Sequence, residues 1–200
     1  MKKAEQSEVT RGALLKAACE LFTERGYADT ATEDIAQRAG VTRGALYYQF
    51  RDKFGLFRAV AEDLNLHIVQ KVLSAMQPDQ EEQKDLWDQI VRAGTEAFLD
   101  ACLDPAVQRI VLIESVAVLG WEEEQALDEK YGLGVVRGAI QALMDIGLLA
   151  PQPLEPLARL ILSVEREAAR YSARTDDIPT ARKEMGATLE RLLDGMRVRN

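Results

Sequence analysis

The stretch Thr42–Gln49 packs a guanidinium, two phenols and a carboxamide into one short run. Arg43 can bond the edge of a guanine or a phosphate, and only the first carries sequence information. Tyr48 suits contact with a base or a thymine methyl, and Gln49 can donate to a phosphate or pair with adenine. Gly44 and Ala45 let a partner approach the backbone closely. Lys53 falls in the first turn of a following helix, where a cation opposes the helix dipole. That placement makes sense if the helix end faces a phosphate.

These groups need elements to hold them, and residues 30–53 supply two short helices around a tight turn. Ile35, Ala36 and Ala39 form an apolar face at helical spacing. Gly40 provides the left-handed position of the turn. Val41 fills the gap between the helices. Thr42 caps the second helix, and Leu46 and Phe50, four residues apart, lie on its buried side. Thr30 and Glu33 fit a capping box for the first helix. The pattern is a helix-turn-helix, which places the start of its second helix in the DNA major groove. An ordinary helical hairpin would leave Arg43, Tyr47, Tyr48 and Lys53 unexplained. Aromatic packing inside the head is the other reading of Tyr47 and Tyr48, but Leu46 and Phe50 already fill the inward face.

The segments RGALLKAACELFTERGY, from Arg11, and DIAQRAGVTRGALYYQFRDKFGLFRAV, to about Val60, resemble the DNA-binding domain of the TetR family of bacterial transcriptional regulators. The resemblance implies an all-α protein of about nine helices. A three-helix head, residues 1–53, would be joined through a long helix to a helical regulatory and dimerisation body, residues 54–200. It implies phosphate contacts for the Tyr47 hydroxyl and for Thr32, and a second subunit paired through the last two helices, about 156–173 and 180–197. The expected function is a homodimeric repressor that binds a pseudo-palindromic operator and is released by a small molecule. Three positions depart from the family pattern: Ala31 and Ala45 stand where Ser or Thr is usual, and Gln49 where His is frequent.

The chain has 200 residues, 47% hydrophobic, with a net charge of −8. Residues 1–58 hold ten Lys+Arg against eight Asp+Glu, so a mildly basic head (+2) precedes an acidic remainder. That distribution suits a protein touching phosphate at one end and excludes one that coats nucleic acid indiscriminately. Cys19 and Cys102 are expected as buried reduced thiols. MKKAEQSE lacks the apolar run of a signal peptide, and no segment suits a membrane span, so a cytoplasmic location is expected. His67 is the single histidine, and one histidine with two distant cysteines cannot make the usual zinc set. Neither a catalytic constellation nor a cofactor is expected. A helical adaptor without DNA binding would have little use for Gly40, Tyr47 and Lys53.

Taken in order, residues 1–8 are polar and expected to fray, with Lys2 and Lys3 either a minor-groove arm or a free tail. Thr10 would cap helix 1, whose stripe is Leu14, Ala18, Leu21 and Phe22, and Gly26 would end it. Asp52 would cap helix 4, which runs to about Met76, with Pro78 closing it and a polar linker over 77–83. Trp87 to Cys102 form helix 5. Asp104-Pro105 open helix 6, apolar nearly all round to Leu119 and therefore expected to be central. Glu114 and Ser115 interrupt it, either bonded by neighbours or lining a ligand cavity. Helix 7 spans about 123–146 and contains GLGVVRG, which has neither the preceding strand nor the spacing of a phosphate loop. Helices 8 and 9 are amphipathic. The candidate effector residues are Trp87, Phe98, Glu114, Ser115, Trp121 and Tyr131.

Overall fold

A computed structural model describes residues 3–77 and 85–198. Lys2, the Lys3 side chain and the stretch 78–84, with Pro78 and most of the expected linker, lie outside the described residues. Nine helical rods run through the rest: α1 (Lys3–Arg25), α2 (Thr32–Arg38), α3 (Arg43–Phe50), α4 (Lys53–Ala75), α5 (86–101), α6 (105–119), α7 (121–145), α8 (Leu154–Ala173) and α9 (Ile178–Asp194). The only extended pairing among the described residues is an isolated bridge between Leu149 and Arg197.

Several boundaries differ from the sequence expectation. Helix 1 begins at Lys3 rather than after Thr10. The residues before Thr10 lack Pro and Gly, and the Gln49 amide donates to Ser7 Oγ at 2.8 Å, tying that early turn to α3. Thr30 and Glu33 make no capping box. Thr30 Oγ1 donates instead to Gly26 O at 2.7 Å and Leu21 O at 3.2 Å, closing the end of α1, and Ala31 becomes the N-cap of α2, with no side-chain cap hydrogen bond. Asp52 does cap α4, accepting from the Gly55 amide at 2.7 Å. Asp177 accepts from the Thr180 amide at 3.2 Å, so α9 begins two residues before Thr180.

Three rods contain π-wound segments, at Asp88–Arg92 in α5, Val107–Glu114 in α6 and Asp128–Gly132 in α7. A single hydrophobic period cannot show such widening, because each extra residue shifts the buried face by a third of a turn.

The chain divides into two compact units. The first comprises residues 1–64 and 105–124. Its core includes Leu14, Leu21 and Phe22 of α1, Ile35 and Ala36 of α2, Leu46 and Phe50 of α3, and Leu56, Phe57 and Val60 of α4. Phe57 packs edge-on to Phe22 at 5.3 Å and to Tyr27 at 5.1 Å between ring centres. Such aromatic pairs add about 1 kcal/mol each beyond the area they bury. Within α6, Ile110, Val111 and Leu112 are buried while Ile113 and Val116 are exposed, so its apolar surface is not buried all round. The second unit, residues 65–104 and 125–200, is built on Trp87, Leu133, Ile140, Leu143, Leu149, Ala158, Leu162 and Leu193.

Candidate nucleic-acid interface

The turn between α2 and α3 rests on Gly40, whose φ is +67°. A Cβ there would meet nothing within 4 Å, so backbone conformation and not space calls for glycine. Val41 turns back, its amide bonding Ala36 O at 3.0 Å. Thr42 caps α3 by accepting from the Ala45 amide at 3.2 Å. Leu46 and Phe50 are buried. Opposite them Thr42, Arg43, Gly44, Tyr47 and Tyr48 are exposed, Tyr48 at 81%. Ala45 and Gln49 sit half-buried at the flanks. A shallow groove of about 480 Å³ lies beside this face, with Arg11, Tyr48, Arg51 and Arg58 among its lining.

The end of α3 is set by a feature that the sequence does not announce. Arg51 has φ +68° and ψ −48°, and the Asp52 amide bonds Phe50 O at 2.8 Å. This is a γ-turn of the rare strained form. Gly55, in the next turn, lies so close that a Cβ would stand 2.3 Å from Phe50 O. The approach of α4 to the reader helix therefore depends on Gly55. Its only sequence signal is a glycine in a helix with no turn to explain it.

Four side chains close a ring across α2 and α3. Arg43 Nη1 lies 2.7 Å from Glu33 Oε1, and Arg43 Nη2 donates to the Tyr47 hydroxyl at 3.1 Å. Tyr47 is 3.2 Å from Thr32 Oγ1, which donates to Glu33 Oε2 at 3.1 Å. The Glu33 carboxyl is held below its usual pKa, first by its own backbone N–H and then by Thr32. Sequence reasoning named Thr32, Arg43 and Tyr47 as contact residues and gave Glu33 only a capping role.

Two expected contact residues are turned inward. Lys53 Nζ donates to Tyr27 O at 2.7 Å and Thr30 O at 2.9 Å, reaches Ala28 O at 3.4 Å, and sits 4.3 Å from the centre of the Tyr27 ring. The carbonyls between α1 and α2 have no helical partners, and the ammonium gathers them. Gln49 spends its amide on Ser7, with bonds to Oγ at 2.8 Å and to O at 3.1 Å. In this structure both brace the reader from behind instead of facing outward.

The six candidate effector residues are divided between the two units. Glu114, Ser115 and Trp121 belong to the first unit, and Trp87, Phe98 and Tyr131 to the second. Glu114 accepts from the Tyr27 amide at 2.8 Å and from Arg109 Nε at 3.1 Å. Ser115 is buried and donates to Glu124. Both answer to a structural network. Trp87 is 1% exposed, and its indole donates to Asp194 Oδ1 at 2.8 Å within the core. Trp121 is 66% exposed, and Phe98 and Tyr131 are half-buried. Sequence reasoning overlooked Glu165 of α8, which accepts from Thr95 Oγ1 at 3.2 Å and whose pKa burial pushes up to about 7.

A capped reader helix, a glycine turn and an exposed polar face define a helix-turn-helix DNA-binding regulator. Known proteins agree. Residues 14–60 match the model of bacterial regulatory proteins of the tetR family, and residues 87–196 match a tetracyclin repressor-like C-terminal domain. A crystal structure of a TetR-family transcriptional regulator from Pectobacterium atrosepticum is 34% identical, with all of this chain and 99% of that one aligned at a TM-score of 0.81. The HTH-type transcriptional repressor BepR of Brucella suis is 36% identical over 48% of this chain, a match that spans less than half (46%) of that relative's length. The HTH-type transcriptional regulator AcrR of Shigella flexneri is 24% identical over 86% of this chain and 90% of its own. The chain belongs to the TetR family of bacterial transcriptional regulators, a family of DNA-binding regulators and not of enzymes. Among the described residues no helix is long and apolar enough to cross a membrane.

Proposed function

We propose that this protein is a homodimeric cytoplasmic repressor that binds a pseudo-palindromic operator and is released by a small molecule. The observation that carries the reading is the face of α3, where Thr42, Arg43, Gly44, Tyr47 and Tyr48 stand exposed over the buried anchors Leu46 and Phe50. Residues 1–53 do the reading. Arg43 and Tyr48 meet base edges, while Thr32, Thr42, Tyr47 and the backbone at Gly44 and Ala45 meet phosphates. Lys53 and Gln49 hold the reader in place. Residues 54–200 dimerise and respond to the effector, with Phe98 and Tyr131 as its aromatic contacts.

Dimerisation is supported by the outer face of the last two helices. The stripe Leu157, Leu160, Ile161, Val164, Ala168 and Tyr171 of α8 is not wholly turned inward. Leu160 is 64% exposed and Tyr171 54%, and on α9 Leu192 is 53% exposed. Apolar side chains left in water on adjacent helices suit a four-helix interface with a second copy. BepR is named as a repressor, which favours that sign of control here.

The test is selection of genomic fragments by the purified protein at two salt concentrations. A recurrent palindrome with a steep salt dependence is expected, and enrichment without any motif refutes the dimeric reader.

A further inference from the structure

The ring across α2 and α3 leads further, given the reading of Arg43 and Tyr47 as DNA contacts. An ionised Glu33 only accepts. The Thr32 proton is directed to Glu33 Oε2, so the Tyr47 proton must be directed to Thr32 Oγ1. Arg43 Nη1 makes an ion pair with Glu33 Oε1, and Nη2 donates to the Tyr47 oxygen. Both hydroxyl protons of the ring therefore lead to the Glu33 carboxylate, that of Thr32 directly and that of Tyr47 through Thr32, and the Arg43 guanidinium pairs with the same carboxylate. The hydroxyls are donors that a DNA phosphate would take, and the guanidinium is the group that would read a base edge. Arg43 and Glu33 are both more than half exposed, so the pair can be opened from solvent at small cost.

We infer that Glu33 is a specificity determinant whose carboxylate occupies the place of a DNA phosphate in the unbound head. Any duplex must displace it before the Tyr47 hydroxyl and Arg43 are available. A duplex that offers phosphates alone exchanges one anion for another and gains little. A duplex that also presents a base edge to Arg43 offsets the displacement with a contact that Glu33 cannot imitate. Glu33 thus weakens non-specific binding more than specific binding. It also neutralises the Arg43 charge in the free protein, which lowers the salt dependence of binding.

The test compares the full-length protein with Glu33→Gln, Arg43→Ala and the double variant, each shown by circular dichroism to melt as a folded helical protein. The probes are a random-sequence duplex and the tightest duplex selected by the wild type, titrated from 50 to 300 mM salt. Glu33→Gln is expected to bind the random duplex about 3–10-fold more tightly, to steepen the salt slope by about one per head, and to lower discrimination between the two duplexes. In the Arg43→Ala background the same change should have little effect. A gain that persists without Arg43 would mean simple long-range repulsion and overturn the proposal. Weaker binding of both duplexes by Glu33→Gln would make the carboxylate a positioning group and overturn it equally. If Arg43→Ala alone leaves both affinities unchanged, the reading of α3 as the DNA contact fails first.

Discussion

Replacing Lys53 by Met separates the role that the sequence suggests from the one that the structure assigns. Methionine keeps most of the stem volume and removes the charge. The ammonium bonds two carbonyls below 3 Å and a third at 3.4 Å, and stands over the Tyr27 ring. Hydrogen bonds from a charged donor contribute roughly 1.5–3 kcal/mol each, and a cation–π contact about 0.5–1 kcal/mol. These effects overlap, and the half-exposed site lets water replace part of what is lost. A destabilisation of about 2–3 kcal/mol follows, roughly 5–10 °C in melting temperature for a domain of this size. Binding to DNA should weaken a few-fold, because the segment leading into α2 loosens, while the slope of log affinity against log salt stays the same. Thermal melting and fluorescence anisotropy at several salt concentrations measure both. An unchanged melting temperature with a slope lowered by about one would refute the clamp and restore Lys53 as a phosphate contact.

Two further predictions follow from the packing. Gly55→Ala should destabilise the head by about 3 kcal/mol, because the added carbon meets Phe50 O at 2.3 Å in a strained turn; a denaturant melt within 0.5 kcal/mol of wild type would contradict this. Glu165, with its pKa raised to about 7 by burial, stays protonated in the folded chain while it ionises in the unfolded one, so stability falls as pH rises from about 4.5 to about 7. The ceiling is about 3 kcal/mol, and roughly half that is expected because the residue keeps some contact with water. Glu165→Gln should therefore stabilise the protein at pH 8 and be near neutral at pH 5 in urea melts, and equal effects at the two pH values would refute the burial argument.

Short-range features were legible in the sequence. The Gly40 turn, the Thr42 cap, the Leu46 and Phe50 anchors and the Asp52 cap all stand as read, since each depends on neighbours within four residues and on a local conformational preference. Helical periodicity located the rods, but not the π-wound stretches, where tertiary packing overrides the period. The Thr30–Glu33 capping box failed because Thr30 found carbonyl acceptors at the end of α1.

The sequence by itself determined an all-helical chain with a helix-turn-helix and named the residues on the outer face of its reader. Only the tertiary structure decided what the long polar side chains do. Lys53 reaches carbonyls 23–26 residues away, Gln49 meets a serine 42 residues earlier, and Glu114 pins a backbone amide 87 residues before it. A flexible charged side chain has several partners of similar energy, and which is nearest depends on how distant helices pack. Glu33 illustrates the same limit. Its pairing with Arg43 exists because the Gly40 turn brings the start of α2 beside the start of α3, and nothing in the residue types alone selects that carboxylate from the others on the head.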